Sequence, residues 1–214
     1  MCGRYSLFAS VADLRRDFPE LVVSHWGEPR YNIAPGTDVP ILWQQGNHLS
    51  LDTCHWGFHP AWAREDAPRP INARAETVAE KPYFRESFQR HRCVFPANGF
   101  YEWQSLPGQK VKQPWYLSPA QGGLWYFAGI VTPDPCTSAI LVTAANPQML
   151  TIHERMPVIL EAPDVVSWLD PETDPSALTP LLRPYPKTMS AWKVSPAVNR
   201  AQADDPALTW PFSA

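Results

Sequence analysis

The chain has 214 residues, of which 44% are hydrophobic and 12% aromatic, so it is neither disordered nor collagenous and can bury a substantial core. Its 25 prolines against 10 glycines predict rigid turns and edge strands and leave little room for long helices. The formal net charge of −3 excludes a strongly basic surface that binds nucleic acid indiscriminately.

The first half of the chain contains three predicted elements: a capped helix from Ser10 to Phe18, a hairpin of residues 39–43 and 49–51, and a helix over residues 73–91 that Pro82 must break or kink. In the second half, aromatic and β-branched runs between Gly and Pro predict strands at residues 93–95, 100–103, 115–117, 124–130, 139–143, 158–160 and 191–194. Short helices are predicted at residues 148–153, 164–169 and 175–182.

These patterns predict a single α+β domain over residues 1–214, built around a largely antiparallel, barrel-like β-sheet with short peripheral helices. The tail over residues 201–214 contains prolines and two adjacent aspartates, and we expect it to pack loosely.

The four cysteines are far apart in the sequence and form no C-x-x-C pair, so we expect no metal site. Cys54 and Cys93 lie in strand-like runs and are predicted to be core thiols. We find no signal peptide, and no apolar run approaches the ~18 residues of a membrane helix. These features predict a cytosolic protein with reduced thiols.

Charge is distributed unevenly along the chain. Residues 1–160 contain equal numbers of acidic and basic residues, and arginine outnumbers lysine 13 to 5 overall. Because arginine is suited to forked contacts with phosphate, a local arginine-lined groove remains compatible with the slightly acidic composition.

Cys2 follows the initiator methionine directly. Removal of Met1 would leave an α-amine of pKa ~8 and a thiol of pKa ~8.5 on one carbon skeleton, each partly in its reactive form near neutral pH. An aldehyde can condense with the amine to a Schiff base, which the sulfur then captures as a five-membered thiazolidine. An internal cysteine cannot do this. The alternative is that Cys2 is an ordinary residue near a frayed terminus.

Four segments place polar residues within apolar or rigid surroundings: Arg30–Gly36, Ile71–Glu76, Pro96–Trp103 and Ile152–Pro157. Together with Met-Cys-Gly-Arg at the start, these motifs resemble the SOS response-associated peptidase (SRAP) family of abasic-site processing proteins. The resemblance extends from Cys2 to Asn199 and rests on five motifs in the same order.

The resemblance implies catalytic roles for Cys2, Asn72, Glu102 and His153. Glu102 would act as a general acid/base that opens the abasic sugar and assists amine attack, and His153 would donate a proton at the sugar ring oxygen and help to reverse the crosslink. Asn72 would hold the N-terminal residue and the aldehyde-derived oxygen, since an amide donates and accepts without titrating. The residues alone leave open a solvent-facing Glu102 and a structural His153.

A second group of residues is predicted to bind DNA. Arg4, Arg74 and Arg155 each lie within two residues of a proposed catalytic residue, which suggests that they hold phosphates beside the lesion, although solvated arginines are the alternative. Trp62 is predicted to stack on a neighbouring base, with core packing as the alternative. Asn32 and Pro35 match a family loop that shapes the active site.

The function implied is that of an abasic-site sensor in single-stranded DNA. It would form a covalent thiazolidine crosslink through Cys2 and shield the lesion during the DNA damage (SOS) response. We expect a monomer without cofactor that associates with the nucleoid when bound to DNA. Two alternatives are an N-terminal-nucleophile peptidase acting mainly on its own Met1 and a non-covalent reader of modified or single-stranded DNA.

Overall fold

A computed structural model describes residues 2–212. Its strands are β1 (Tyr5–Leu7), β2 (Val22–Val23), β3 (Arg30–Ile33), β4 (Asp38–Gln45), β5 (His48–Trp56), β6 (Asn72–Arg74), β7 (Arg92–Ala97), β8 (Gly99–Gln104), β9 (Gln113–Pro119), β10 (Trp125–Pro133), β11 (Cys136–Ala144), β12 (Arg155–Pro157), β13 (Ile159–Leu160) and β14 (Met189–Lys193). The α-helices are α1 (Val11–Asp17), α2 (Pro82–Arg90), α3 (Pro147–Leu150) and α4 (Ala162–Leu169), and 3-10 helices span Pro175–Leu181, Pro196–Asn199 and Pro206–Thr209.

The strands form two sheets. A five-stranded sheet has the order β14-β9-β8-β1-β3, and a nine-stranded sheet follows β12-β11-β10-β7-β4-β5-β2 with β13 beside β10 and β6 beside β11. A parallel pairing of β11 with β5 closes this second sheet into a ring. Most other pairings are antiparallel. The prediction of an α+β fold around a largely antiparallel sheet is therefore confirmed.

Hydrophobic side chains are buried in layers on either side of the ring-like sheet. One core cluster joins its inner face to the five-stranded sheet and includes Cys2, Tyr5 and Phe100. A second cluster packs its other face against residues of α1, α2 and α4. Cys2, which precedes β1, and Glu102, which lies in β8, are therefore located between the two sheets, where water is largely excluded.

Arg92 fixes two of these helices to the ring-like sheet. It is 3% exposed, and its guanidinium donates hydrogen bonds to the carbonyl oxygens of Phe88 and Gln89 at the end of α2 and of Trp168 and Asp170 at the end of α4. A cation suits this position because the last carbonyls of a helix lack intrahelical donors and carry partial negative charge.

The predicted helix over residues 73–91 is wrong in its first half. Residues 72–74 form β6, which pairs in parallel with β11, and the helix begins only at Pro82. Proline has no backbone N–H and a fixed φ, which suits the first position of a helix and not its interior. The capped helix after Ser10 and the hairpin of β4 and β5 were predicted correctly.

The expectation of reduced thiols is wrong for two cysteines. Cys54 and Cys136 form a disulfide, so Cys54 is not the core thiol that the sequence suggested, whereas Cys93 is a buried free thiol. His55 in β5 pairs with Thr137 in β11, and this pairing brings the residues just before them, Cys54 and Cys136, together. They are 82 residues apart in sequence, and their Cα atoms are 5.2 Å apart. Sequence spacing could not reveal this pairing, because it depends on ring closure.

The tail is attached to the domain as far as Phe212, whose amide donates to the Lys193 carbonyl at 2.9 Å, although most of its side chains are exposed. Asp204 Oδ1 accepts hydrogen bonds from the backbone amides of Tyr31 and Asn32 at 2.5 and 3.0 Å, and Leu208 is buried beside Tyr101. Within residues 2–212, no helix is long and apolar enough to cross a membrane, and no cluster of three His, Cys, Asp or Glu side chains could hold a metal ion.

Candidate active site

Cys2 lies at the entrance to β1 and is fully buried. Its carbonyl oxygen accepts a hydrogen bond from Asn72 Nδ2 at 2.9 Å, which joins the N-terminal segment to the first residue of β6. Asn72 Oδ1 is also buried, and it has no hydrogen-bond partner within residues 2–212. The amide therefore holds the backbone of Cys2 with its donor and has an acceptor available at the same place.

Glu102 occupies the middle of β8 and is 3% exposed. Pairing of β8 with β1 continues to a hydrogen bond of 2.9 Å from the Tyr101 amide to the Arg4 carbonyl, so the chain before β1 runs beside Glu102. Glu102 Oε1 accepts a hydrogen bond from the Trp103 amide at 3.2 Å. The strand thus directs this carboxylate into the interior, and the alternative of a solvent-facing side chain does not apply.

The environment of the Cys2 sulfur keeps the thiol protonated. Burial raises the pKa of the Cys2 thiol well above its ordinary value, and the negative charge of Glu102 raises it further. A hydrogen bond from the Arg4 backbone amide acts in the opposite direction. Since burial dominates, the thiol carries its proton near neutral pH until a base accepts it.

His153 follows α3, and its backbone amide donates to the Met149 carbonyl at 2.9 Å. Its Nδ1 accepts a hydrogen bond from the Arg155 amide at 3.0 Å, which fixes the orientation of the half-buried ring. With Nδ1 accepting, the proton of a neutral imidazole resides on Nε2.

Gln104 connects the strand of Glu102 to the segment of His153, a link that the sequence analysis missed. Its Nε2 donates to the Thr151 carbonyl at 2.6 Å, and its Oε1 accepts from Trp115 Nε1 at 3.0 Å. Trp115 lies opposite Glu102 on β9. The period of two along a strand was the available signal, because it places Gln104 on the same face of β8 as Glu102.

The predicted DNA-binding arginines have three different environments. Arg4 is half-buried and donates to Asn32 Oδ1 at 2.8 Å and to the Val198 carbonyl at 3.0 Å. Arg74, at the end of β6, is exposed. Arg155 forms an ion pair with Glu76, a residue to which the sequence analysis gave no role although it lies in the same motif as Asn72. Local sequence gave no signal for this pair, which spans 79 positions.

The remaining predicted residues also differ in exposure. Trp62 is 60% exposed, and its ring contacts Tyr83 edge-on with 5.6 Å between centroids. Asn32 is buried, and its Nδ2 donates to the carbonyls of Val198, Arg200 and Ala203, so it anchors the C-terminal segment. Pro35 is half-buried in the turn that follows β3.

The structure thus brings Cys2, Asn72 and Glu102 together where the two sheets meet, and Gln104 ties the His153 segment to the same place.

The same fold occurs in solved structures. A protein from Bacteroides thetaiotaomicron superposes with a TM-score of 0.87 at 24% identity over 99% of this chain and 100% of that one. A phage-related protein from Bordetella bronchiseptica gives a TM-score of 0.76 at 28% identity over 90% and 94%.

Curated relatives match most or nearly all of the chain. The abasic site processing protein YoqW of Bacillus subtilis is 38% identical over 97% of this chain and 98% of its own. The abasic site processing protein YedK of Escherichia coli is 36% identical over 80% and 81%. A family model described as SOS response associated peptidase (SRAP) matches residues 1–201. The chain therefore belongs to the SRAP family.

Proposed function

We propose that the protein captures abasic sites in single-stranded DNA through Cys2 once Met1 has been removed. The Cys2 amine attacks C1 of the open-chain sugar and expels water to give a Schiff base. The Cys2 sulfur then adds to the same carbon and closes a thiazolidine, so one aldehyde and one aminothiol yield the ring and one water. Relatives named abasic site processing proteins support this substrate class. Met1 itself lies outside the described residues.

The observation that carries the proposal is the pairing of Cys2 with Asn72 beside Glu102. The 2.9 Å hydrogen bond from Asn72 fixes the carbonyl of the residue that bears both nucleophiles. Holding reacting groups in place converts a bimolecular capture into a nearly unimolecular step. Asn72 Oδ1 is then available to accept a hydrogen bond from the amine or from the carbinolamine hydroxyl.

The product sets the two nucleophilic steps. In the proposed sequence the amine forms the Schiff base first, and the buried Cys2 thiol then adds to its carbon. Glu102 accepts the thiol proton as the carbon–sulfur bond forms and returns a proton in the reverse reaction. A carboxylate that is 3% exposed suits this exchange, since little water competes for the proton.

We assign His153 to the sugar ring oxygen. The Arg155 amide occupies Nδ1, so Nε2 is the atom that presents a proton. That proton stabilises the oxygen that leaves C1 when the ring opens, and the same contact operates when the crosslink is reversed.

The DNA strand is held by both charge and stacking. Arg4 is bound by neutral acceptors, Asn32 Oδ1 and the Val198 carbonyl, and no carboxylate among residues 2–212 forms an ion pair with it, so its positive charge attracts phosphate at short range. Arg74 and Arg155 contact phosphates on the other side of the lesion. Exposed Trp62 stacks on a neighbouring base, and Pro35 shapes the turn beside the site.

The test incubates Met1-processed protein with single-stranded DNA that bears one abasic site, followed by a denaturing gel. Wild-type protein should give a band that survives heat and detergent, and Cys2→Ala should give none. Cys93→Ala is the matched control, because it removes the other buried free thiol and should crosslink normally. Mass spectrometry verifies that Met1 is absent.

A normal band with Cys2→Ala would refute the proposal. Binding without any covalent product from wild-type protein would favour a non-covalent reader, and release of Met1 that depends on Glu102 without capture of DNA would favour a peptidase that acts on its own chain.

A further inference from the structure

Glu76 and Arg155 form an ion pair between two short strands that flank the end of β11. Arg74 in β6 pairs with Val142, and Arg155 in β12 pairs with Ala144. The two strands therefore flank the same end of β11 on its two edges. Glu76 follows β6 by two residues and reaches across to the Arg155 guanidinium. The pair therefore connects the strand that begins with Asn72 to the segment that contains His153.

The two members of the pair differ in exposure. The Arg155 side chain is 23% exposed, whereas that of Glu76 is 47% exposed. The Arg155 guanidinium is thus the more enclosed partner, and the Glu76 carboxylate is the more exposed one. Glu76 belongs to a turn between β6 and α2, with exposed Arg74 and Glu80 nearby in sequence, so its side chain can turn into solvent without disturbing the core.

Carboxylate and phosphate are alternative partners for the same guanidinium, because both accept two parallel N–H donors. An ion pair with this much exposure changes an equilibrium constant by only about fivefold or less. A phosphate from a bound strand, supported by neighbouring contacts, can therefore displace the carboxylate.

We propose that Glu76 occupies the phosphate position of Arg155 in the free protein and is displaced when a DNA phosphate binds beside the lesion. The inference rests on the proposed function, since it takes Arg155 as a phosphate contact. Glu76 then has two effects. It keeps the Arg155 side chain in place, and it competes with the DNA phosphate for the guanidinium. A DNA strand therefore binds only when additional contacts, such as those of Arg74 and Arg4, support it.

The test measures equilibrium binding to single-stranded DNA containing a tetrahydrofuran abasic analogue, which has no aldehyde and cannot crosslink. Glu76→Gln should tighten binding about threefold to fivefold at low salt, as expected for removal of one exposed competing charge. The gain should shrink as salt screens the charge. Glu80→Gln is the matched control, because it removes one exposed negative charge from the same turn region, and it should have a smaller effect.

A second comparison separates displacement from general charge repulsion. In an Arg155→Ala background, Glu76→Gln should no longer tighten binding, because there is no guanidinium left to release. Persistent tightening in that background, weaker binding by Glu76→Gln, or equal effects of Glu76→Gln and Glu80→Gln would each overturn the inference.

The crosslinking assay with authentic abasic DNA distinguishes this failure from failure of the proposed function. If wild-type protein crosslinks normally and the Glu76 effects are absent, only the inference falls. If wild-type protein binds neither the analogue nor authentic abasic DNA, both fall.

Discussion

The surroundings of Cys2 and Cys93 differ although both side chains are free thiols with no exposed surface. Cys93 lies within β7, paired on both sides, and burial alone raises the pKa of its thiol. A methyl group at Gly129 would lie only 3.0 Å from its sulfur, so the backbone of β10 packs closely against this thiol. Cys2 is equally buried, but a charged carboxylate at Glu102 also acts on its sulfur.

The hydrogen bonds to the two cysteine backbones show the same contrast. The Cys93 carbonyl accepts from the indole of Trp168 at 2.9 Å, and the Cys2 carbonyl accepts from the amide of Asn72 at the same distance. The indole has only that one donor, whereas the amide also carries an acceptor. Burial and backbone anchoring are therefore common to both thiols, and chemistry requires the additional acid/base group, the bifunctional amide and the terminal position.

The largest effect that would sharpen this contrast is expected for Glu102→Gln. The amide keeps the size of the side chain but cannot accept the thiol proton, so the crosslinking rate at saturating DNA should fall by about 10²- to 10⁴-fold, the usual contribution of general acid/base catalysis. Single-turnover kinetics with abasic single-stranded DNA measures this rate. Affinity for the tetrahydrofuran analogue, measured separately, should not weaken.

A rate for Glu102→Gln close to that of wild type would remove the feature that most separates Cys2 from Cys93. Buffer or water would then be the proton acceptor, and the carboxylate would have a structural role.

A smaller effect is expected for Asn72→Ala. The variant loses the hydrogen bond to the Cys2 carbonyl and leaves that buried carbonyl without a donor. Crosslinking should slow about 5- to 30-fold, as expected for one lost hydrogen bond of ~1–2 kcal/mol. Cys93→Ala serves as the reference, since it leaves this anchor intact. Weaker binding of the analogue with an unchanged rate of crosslinking would instead make Asn72 a DNA contact.

Local sequence rules predicted the elements whose determinants are local. The Ser10 cap and the Gly46 turn each fix backbone geometry through neighbouring residues, and Gly46 has a positive φ of 57° that favours glycine. The start of α2 at Pro82 was a local signal that the helical pattern of residues 73–81 obscured. Residues 73 and 74 instead belong to β6, because β11 provides a parallel partner that no local pattern contains.

The candidate site shows the same division between local and long-range determinants. Resemblance indicated Cys2, Asn72, Glu102 and His153, but the contacts that organise them depend on strand pairing. Gln104 reaches Thr151 across 47 residues, and Arg155 reaches Glu76 across 79. The docking of the tail on Asn32 depends on carbonyl positions near residue 200, for which side-chain identity carries no signal.

The smallest expected effect concerns stability at alkaline pH, where Cys2 and Cys93 should behave alike. Burial raises the pKa of each thiol, so above ~8.5 the unfolded chain releases protons that the folded protein retains. The unfolded state then binds fewer protons, and the free energy of unfolding falls as pH rises. By pH 9.0 each thiol should account for about 0.8 kcal/mol of this loss. Urea denaturation at pH 7.5 and 9.0 measures it, and Cys2→Ala and Cys93→Ala should each reduce the difference by a similar amount. A reduction with Cys93→Ala alone would mean that the folded protein ionises Cys2 readily, and Glu102 would not be needed to accept the thiol proton.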